Sequence, residues 1–437
     1  MRVTFHVNAM VTLEGDDTTV LCDPWVTFDD YSPSGFYNFP RARLTPEDVV
    51  AIEPDVIYIS HTHPDHFDPI TLGLFPKDTT IVVSHYAANF TERAVMQLGF
   101  TDVRTTSPGK WLPLNNGDRC WIEPSRIYPE CDSIALFQLS GDNAVNANDN
   151  VIHREQCEEL RSLAGNIDIG LLPSGAHGPY PMFFENLSPA EKMAAAAKRA
   201  QTQKESFVSY IEALQPRYVV PIAGGIVAGG EKAKQYGYSG ISPRSEVTSY
   251  ALERVKFEPI LLSEGCSFDS RTGERSGTYV EATFANQNKY LDDIASRPGL
   301  FSPQGLFYVD PSQRIDLSRL IFAARQNQSR WQERLETTSI TPYYFDVGEE
   351  TLYRLCLGDD KISRVREKDI DDQEYEIYRL PYELLLGMLT RHYHWSNVNT
   401  QHMSFYRKGD KMDPELLLLM NFLHYLTNLI QYPKVSF

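Results

Sequence analysis

His61-Thr62-His63-Pro64-Asp65-His66 follows directly on the apolar run Val56-Ile57-Tyr58-Ile59, and this junction decides how the chain reads. The run is short, β-branched and aromatic, with Pro54-Asp55 before it and a polar cluster after it, which predicts a buried strand. The cluster then lies in the loop at the strand's C-terminal end, where open α/β sheets carry their chemistry. In an extended turn His61 and His63 point to the same side, as residues i and i+2 do, and can share one metal ion. Asp65 and His66 turn onto a second. Imidazole with carboxylate suits Zn, Fe or Mn and leaves positions open for water or substrate. The plainer alternative is a polar loop whose histidines only cap the next helix. It must explain four metal-competent side chains in six residues at a strand end.

A length of 437 residues allows two or three domains, and 42% hydrophobic with 23% charged residues is ordinary for a globular chain. The net charge of −17 argues against duplex nucleic acid or an anionic membrane as the main partner. It still permits an anionic small-molecule substrate, because bound cations dominate the local field of a metal site. Cys22, Cys120, Cys131, Cys157, Cys266 and Cys356 form no C-x-x-C pair and read as reduced thiols. The chain opens on an alternating strand without a signal-peptide pattern. Its longest apolar run, residues 416–430, is broken by Asn421, His424 and Asn428. The expectation is a cytoplasmic protein with no membrane span, its oligomeric state left open.

Residues 3–10 alternate, with Val3, Phe5, Val7 and Ala9 on one face and Thr4, His6 and Asn8 on the other. A meander continues through residues 11–13 and 19–22 to Cys22-Asp23-Pro24-Trp25. A strand over 80–83 ends in Ser84-His85, where His85 either reaches the site or sits on its rim. Residues 133–139, the turn 140–143 and Ala144-Val145 read as a hairpin that brings Asp132 and Asp149 to one end of a sheet. A strand over 167–172 leads into Pro173-Ser174-Gly175-Ala176-His177-Gly178-Pro179-Tyr180-Pro181-Met182, a loop shaped by its glycines and prolines. There His177 reads as a metal ligand, a proton donor or a substrate contact, with a structural loop histidine as the alternative, and Tyr180 as a substrate contact.

Ser188-Pro189-Ala190-Glu191 is a capping box that opens a helix to about Leu214, whose Lys192, Lys198, Arg199 and Lys204 read as a solvated face. The strand 218–222 then runs into Ala223-Gly224-Gly225. Residues 286–437 show an α+β pattern. It comprises a hairpin over 343–347 and 352–357, a strand at 375–379, a helix at 382–389 and a last helix from Asp413-Pro414. His392, His394 and Trp395 either close over the site or pack.

H-x-H-x-D-H resembles the signature of the metallo-β-lactamase superfamily. The resemblance implies an α/β fold, an αββα sandwich over residues 1–285 with an α+β accessory domain over 286–437, and two metal ions. It implies that His6 and Asp23 stand behind the metal loop and orient its ligands. It also implies a metal histidine before the 133–145 hairpin and a bridging aspartate after it. Asp149 fits the bridging role. The histidine is missing; Asp132 stands in its place, with Glu130 as competitor. A last histidine after strand 218–222 is missing too. The metal set is therefore His61, His63, Asp65, His66, Asp132 and Asp149, and Asp65 and His177 are the candidates for catalytic work.

Asp23-Pro24-Trp25, the 61–66 loop, Asp132-Ser133-Ile134-Ala135-Leu136, Asn148-Asp149, Tyr210-Ile211-Glu212-Ala213-Leu214 and residues 380–395 are similar to a narrower group. That group resembles the catalytic part of CMP-N-acetylneuraminate hydroxylase. No cysteine here has a histidine two or three positions after it, so the Rieske iron–sulfur pairs of that hydroxylase are absent. Oxygen-rich ligands favour Fe, with Zn or Mn as alternatives. The expectation is a di-iron oxygenase or hydroxylase acting on a small polar metabolite, fed by an external electron donor. The alternative is a phosphodiesterase- or lactonase-type hydrolase using a metal-bridged hydroxide.

Overall fold

Parallel strands buried on both faces need unbroken apolar runs, and Val56–Ile59 is such a run, buried at every position. In the computed structural model it lies between Thr19–Cys22 and Thr80–Val83, parallel to both. The structure describes residues 1–424 except 87, 108, 128–130, 298–307, 392–394, 396–401 and 410–412. Glu130, His392, His394 and the end of the last apolar run lie outside the described residues.

The first sheet has eight strands. Its order is Arg275–Ser276, Ser267–Asp269, Arg2–Val7, Met10–Glu14, Thr19–Cys22, Val56–Ile59, Thr80–Val83 and Val103–Thr105. The second has seven, ordered Glu258–Pro259, Tyr218–Ile222, Ile169–Pro173, Asp142–Asn146, Ser133–Leu139, Arg119–Pro124 and Leu112–Pro113. Val3, Val20 and Tyr58 of the first sheet share one core with Phe137, Leu171 and Val220 of the second. Pro69–Gly73 and Phe90–Gln97 cover the outer face of the first sheet. Arg154–Ala164, Pro189–Leu214 and Arg244–Leu252 cover that of the second. This is an αββα sandwich.

The opening strand departs from simple alternation. A bulge between Phe5 and Val7 shifts the register, so Val3 and Phe5 face the inter-sheet core while Val7 packs on the outer face. The strand ends at Val7, and Asn8 turns the chain with a φ of 48°. The expected strand to residue 10 is therefore cut short.

A third, five-stranded sheet takes the order Asp359–Val365, Leu352–Cys356, Pro342–Asp346, Tyr375–Arg379 and Ser404–Lys408. Its core includes Met182, Phe183 and Phe184, which follow the His177 loop, and Phe184 bridges to Phe405. The helix Asn288–Ala295, just past the expected division at 285, packs against the sandwich residues Tyr37, Phe39 and Tyr236. Among the described residues no helix is long and apolar enough to cross a membrane.

Candidate metal centre

Residues 60–66 leave the central parallel strand and fold back, the amides of His66 and Phe67 both donating to His63 O at 3.0 and 2.8 Å. Asp23 closes the neighbouring strand in the left-handed region, with a φ of 45°, its amide donating to Tyr58 O at 2.9 Å. Fully buried, its carboxylate accepts from Ser60 N–H at 2.7 Å, Ser60 O–H at 2.8 Å and His66 Nδ1 at 2.9 Å. From the second sheet, Asp132 enters just before Ser133–Leu139, and Asp149 three residues after Asp142–Asn146. Asn148 pins that end by donating to Ser133 O at 2.7 Å.

Two overlapping groups result, His61 with His63 and Asp132, and His61 with His66 and Asp149, each with ligand atoms within 4.8 Å of one another. His61 Nε2 lies 2.7 Å from His63 Nδ1, 3.8 Å from Asp132 Oδ1 and 3.5 Å from Asp149 Oδ1. His66 Nε2 lies 3.5 Å from Asp149 Oδ2 and 3.3 Å from Asp65 Oδ2. Asp149 thus spans two imidazoles with its two oxygens.

The hydrogen bonds set the tautomers. Ser60 has one hydroxyl proton and gives it to Asp23, so toward His61 Nδ1, 2.8 Å away, it accepts. His61 therefore carries its proton on Nδ1 and turns the Nε2 lone pair to the cluster. His66 does the same through Nδ1–H to Asp23. This outer support is what metal-binding histidines require.

The residues fit a pair of cations. Ligand atoms about 2.0–2.1 Å from a tetrahedral ion stand roughly 3.3 Å apart, and the observed spacings bracket that value. His66 Nε2, Asp132 Oδ1 and Asp149 Oδ1 are buried with no hydrogen-bond partner among the described residues. The electrostatics agree. Burial and the charge of Asp149 push Asp132 well above the carboxylate range. Burial also raises Asp65, but His66 and His63 outweigh it and hold the carboxyl at about 2. Burial opposes a charged His66, yet Asp149, Asp65 and Asp23 together push it well above its usual value. A proton on that ring and one on Asp132 stand in where cations would satisfy the cluster.

Residues 2–124 match the family model of the beta-lactamase superfamily domain. This stretch is a domain of that superfamily. A protein of Mycolicibacterium smegmatis named as a Rieske 2Fe-2S iron-sulfur protein is 27% identical over 229 residues, 51% of this chain and 43% of the relative. Cytidine monophosphate-N-acetylneuraminic acid hydroxylase of Danio rerio is 24% identical over 240 residues, 51% of this chain and 38% of the relative. The matched stretch thus covers less than half the length of either curated relative. Among solved structures, isothiocyanate hydrolase from Delia radicum gut bacteria aligns at 14% identity with a TM-score of 0.46, covering 62% of this chain and 99% of that one.

The other candidates in the superfamily domain and beyond it fall into several places. His6 is buried with Nε2 2.7 Å from Thr12 Oγ1, and no described contact joins it to the cluster. The neighbour that does reach the cluster is Asn8, whose Nδ2 donates to Asp65 Oδ2 at 3.1 Å while its Oδ1 accepts Gly225 N–H at 2.9 Å. His85 is exposed, and Tyr86 turns inward instead, donating to Ser60 O at 3.2 Å. Both ring nitrogens of His177 are buried without a hydrogen-bond partner among the described residues. Burial and the charge of Arg199 push that ring down to about 3, while Asp65 pulls the other way. Tyr180 packs its ring on Phe184 and lies under the Arg407 guanidinium. Trp395 packs on Tyr378 in the C-terminal core.

Arg199 corrects the solvated-face reading of the long helix. Half-buried, it donates to Ala176 O and Tyr180 O and so holds the His177 loop. Lys192 likewise turns in, donating to Met182 O at 2.6 Å. A lone arginine between lysines carries no periodic signal of burial, so the sequence could not separate it from its neighbours. Asn8 left one trace, an asparagine at the close of a strand, where left-handed turns favour that residue.

Proposed function

We propose that this chain is a dinuclear metal-dependent enzyme, an iron oxygenase or hydroxylase acting on a small polar metabolite. The observation that supports it is the oxygen-rich donor set: Asp65, Asp132 and Asp149 beside His61, His63 and His66. Asp132 occupies the position before Ser133–Leu139, and Ala223-Gly224-Gly225 follows Tyr218–Ile222, so neither place offers the nitrogen ligand that would favour zinc. Bound in this set, a pair of iron ions supplies one-electron chemistry with dioxygen, which redox-inert zinc does not.

The chain's own groups do the rest. Asp23 and Ser60 fix the ring protons of His66 and His61, and Asn8 steers Asp65. His177, neutral and with both ring nitrogens buried, contacts substrate or moves a proton beside Asp65. Oxygen insertion into a C–H bond also consumes two electrons, which an external donor must bring. The names of the relatives, one for a Rieske cluster and one for a hydroxylase, agree with that need.

The test is direct. Protein purified without added metal is assayed for iron and zinc, reduced anaerobically, desalted and mixed with oxygenated buffer while iron oxidation is followed spectroscopically. Iron near two per chain that reoxidises rapidly is expected. Zinc alone, with reconstituted iron inert to oxygen, would overturn the reading. Turnover of a phosphodiester or lactone under argon would replace it with hydrolysis.

A further inference from the structure

A cavity of ≈ 820 Å³ lies beside the metal cluster and is lined by none of its residues. Asn8, Gly224 and Gly225 form the wall nearest the cluster. The volume is that of a small-molecule site, typically about 300–1,000 Å³. Apolar groups supply much of its lining, among them Phe39, Tyr236, Ile241 and Leu262.

One cation in the lining has no ion pair in contact among the described residues. The Arg244 guanidinium stacks 4.4 Å from the Phe5 ring and makes a single 3.4 Å hydrogen bond to Leu262 O. Among the described residues no carboxylate lies within 4.0 Å of it. The two lining glutamates spend their hydrogen bonds elsewhere, although the charge of Glu281 still faces Arg244 from beyond contact distance. Glu264 is taken up by Arg43 and the amides of Arg43 and Leu44, and Glu281 by the Tyr279 hydroxyl and the Ser245 amide. Arg41, also in the lining, is paired with Asp30. A guanidinium offers five donors, and the half-buried Arg244 spends only one of them on a described side-chain hydrogen bond.

The mouth supplies a second, independent observation. Met193, Val280 and Phe284 all line the cavity yet are 54%, 68% and 43% exposed. Single exposed apolar side chains need no explanation, but three around one opening form a patch.

We propose that this cavity binds an amphipathic organic anion, with its carboxylate on Arg244 and its apolar body running out to the rim of Met193, Val280 and Phe284. This inference does not rest on the metal chemistry. The wall it shares with Asn8 and Gly225 puts the ligand one hydrogen bond from the support of Asp65.

The test is calorimetric titration of the full chain, as purified with its metal, with dodecanoate below its micelle concentration. Dodecanol and dodecylamine serve as matched controls. Dodecanoate is expected to bind, and both controls at least about tenfold more weakly, the loss of one charge-assisted contact. Arg244→Gln should lower dodecanoate affinity by about the same factor. Ala197→Trp, on an exposed helix position at the cavity, should block it without unfolding risk in the core. Unchanged metal content in both variants separates this result from any failure at the metal centre. Absence of dodecanoate binding, equal binding of dodecanol, or full binding to Ala197→Trp would each overturn the proposal.

Discussion

Asp23→Asn should disable two metal-facing imidazoles while leaving the backbone alone. Asparagine tolerates the left-handed φ of 45° as well as aspartate does, so the change is one of hydrogens only. One amide oxygen can still accept the Ser60 N–H now held at 2.7 Å. The amide nitrogen then faces Ser60 Oγ and His66 Nδ1, at 2.8 and 2.9 Å, and must donate where the carboxylate accepted. Ser60 turns its proton to His61 Nδ1, and His66 Nδ1 becomes an acceptor. Both rings then carry N–H on Nε2, where a cation needs a lone pair. Loss of such an outer carboxylate costs about 10–100-fold in metal affinity, or roughly 1.4–2.7 kcal/mol. The assay is competition of the metal-free protein against a chromophoric chelator, with the ring tautomers read from nitrogen NMR of labelled histidine. Affinity within about twofold of the parent, with both rings still protonated on Nδ1, would refute the reasoning.

Two further perturbations follow from the same surroundings. Burial holds His6 at about 4, so between that value and the unfolded value near 6.5 only the unfolded chain takes up a proton. Stability is therefore full above about pH 6.5 and falls as pH drops toward 4, by up to about 3 kcal/mol from this group. His6→Gln keeps a partner for Thr12 and should flatten that slope, by about 1.4 kcal/mol per pH unit, in urea melts; parallel curves would sink the idea. At Gly225 a Cβ would meet Phe39 O at 2.9 Å and Asn8 Cα at 3.3 Å, both backbone atoms. Gly225→Ala should thus cost about 1–3 kcal/mol and, by shifting Asn8 off Asp65, lower metal affinity severalfold. Lost stability with unchanged metal affinity would show that Asn8 does not steer Asp65.

Local signals carried far in this chain wherever one strand or one turn decided the outcome. The parallel run before residue 60, the hairpin between Asp132 and Asp149, and the capping box at Ser188 all form where the sequence predicts. The sequence could not announce contacts between distant segments. The bulge after Phe5 moves Val7 to the other face, and Asn8 beyond it touches Asp65 while meeting Gly225 across 217 residues. Arg199 is legible only once the 176–180 loop is folded against its helix.

The two sheets contribute different chemistry to the cluster, and that division explains its balance. Imidazoles and Asp65 come from the loop of the first sheet, and Asp132 and Asp149 from a hairpin of the second. With Asp23 behind them, four carboxylates, three buried and Asp149 half-buried, face three rings whose lone pairs are needed for ligation. Two divalent cations would match four carboxylates charge for charge, which a water-poor interior demands. Without them the only relief is protonation, and the directions at His66 and Asp132 are those such relief would take. Since each sheet supplies only part of the donors, ions at this place also tie the two halves of the sandwich together. Removing them should loosen the hairpin end at Asp132 and Asp149 before it disturbs the parallel strands beneath.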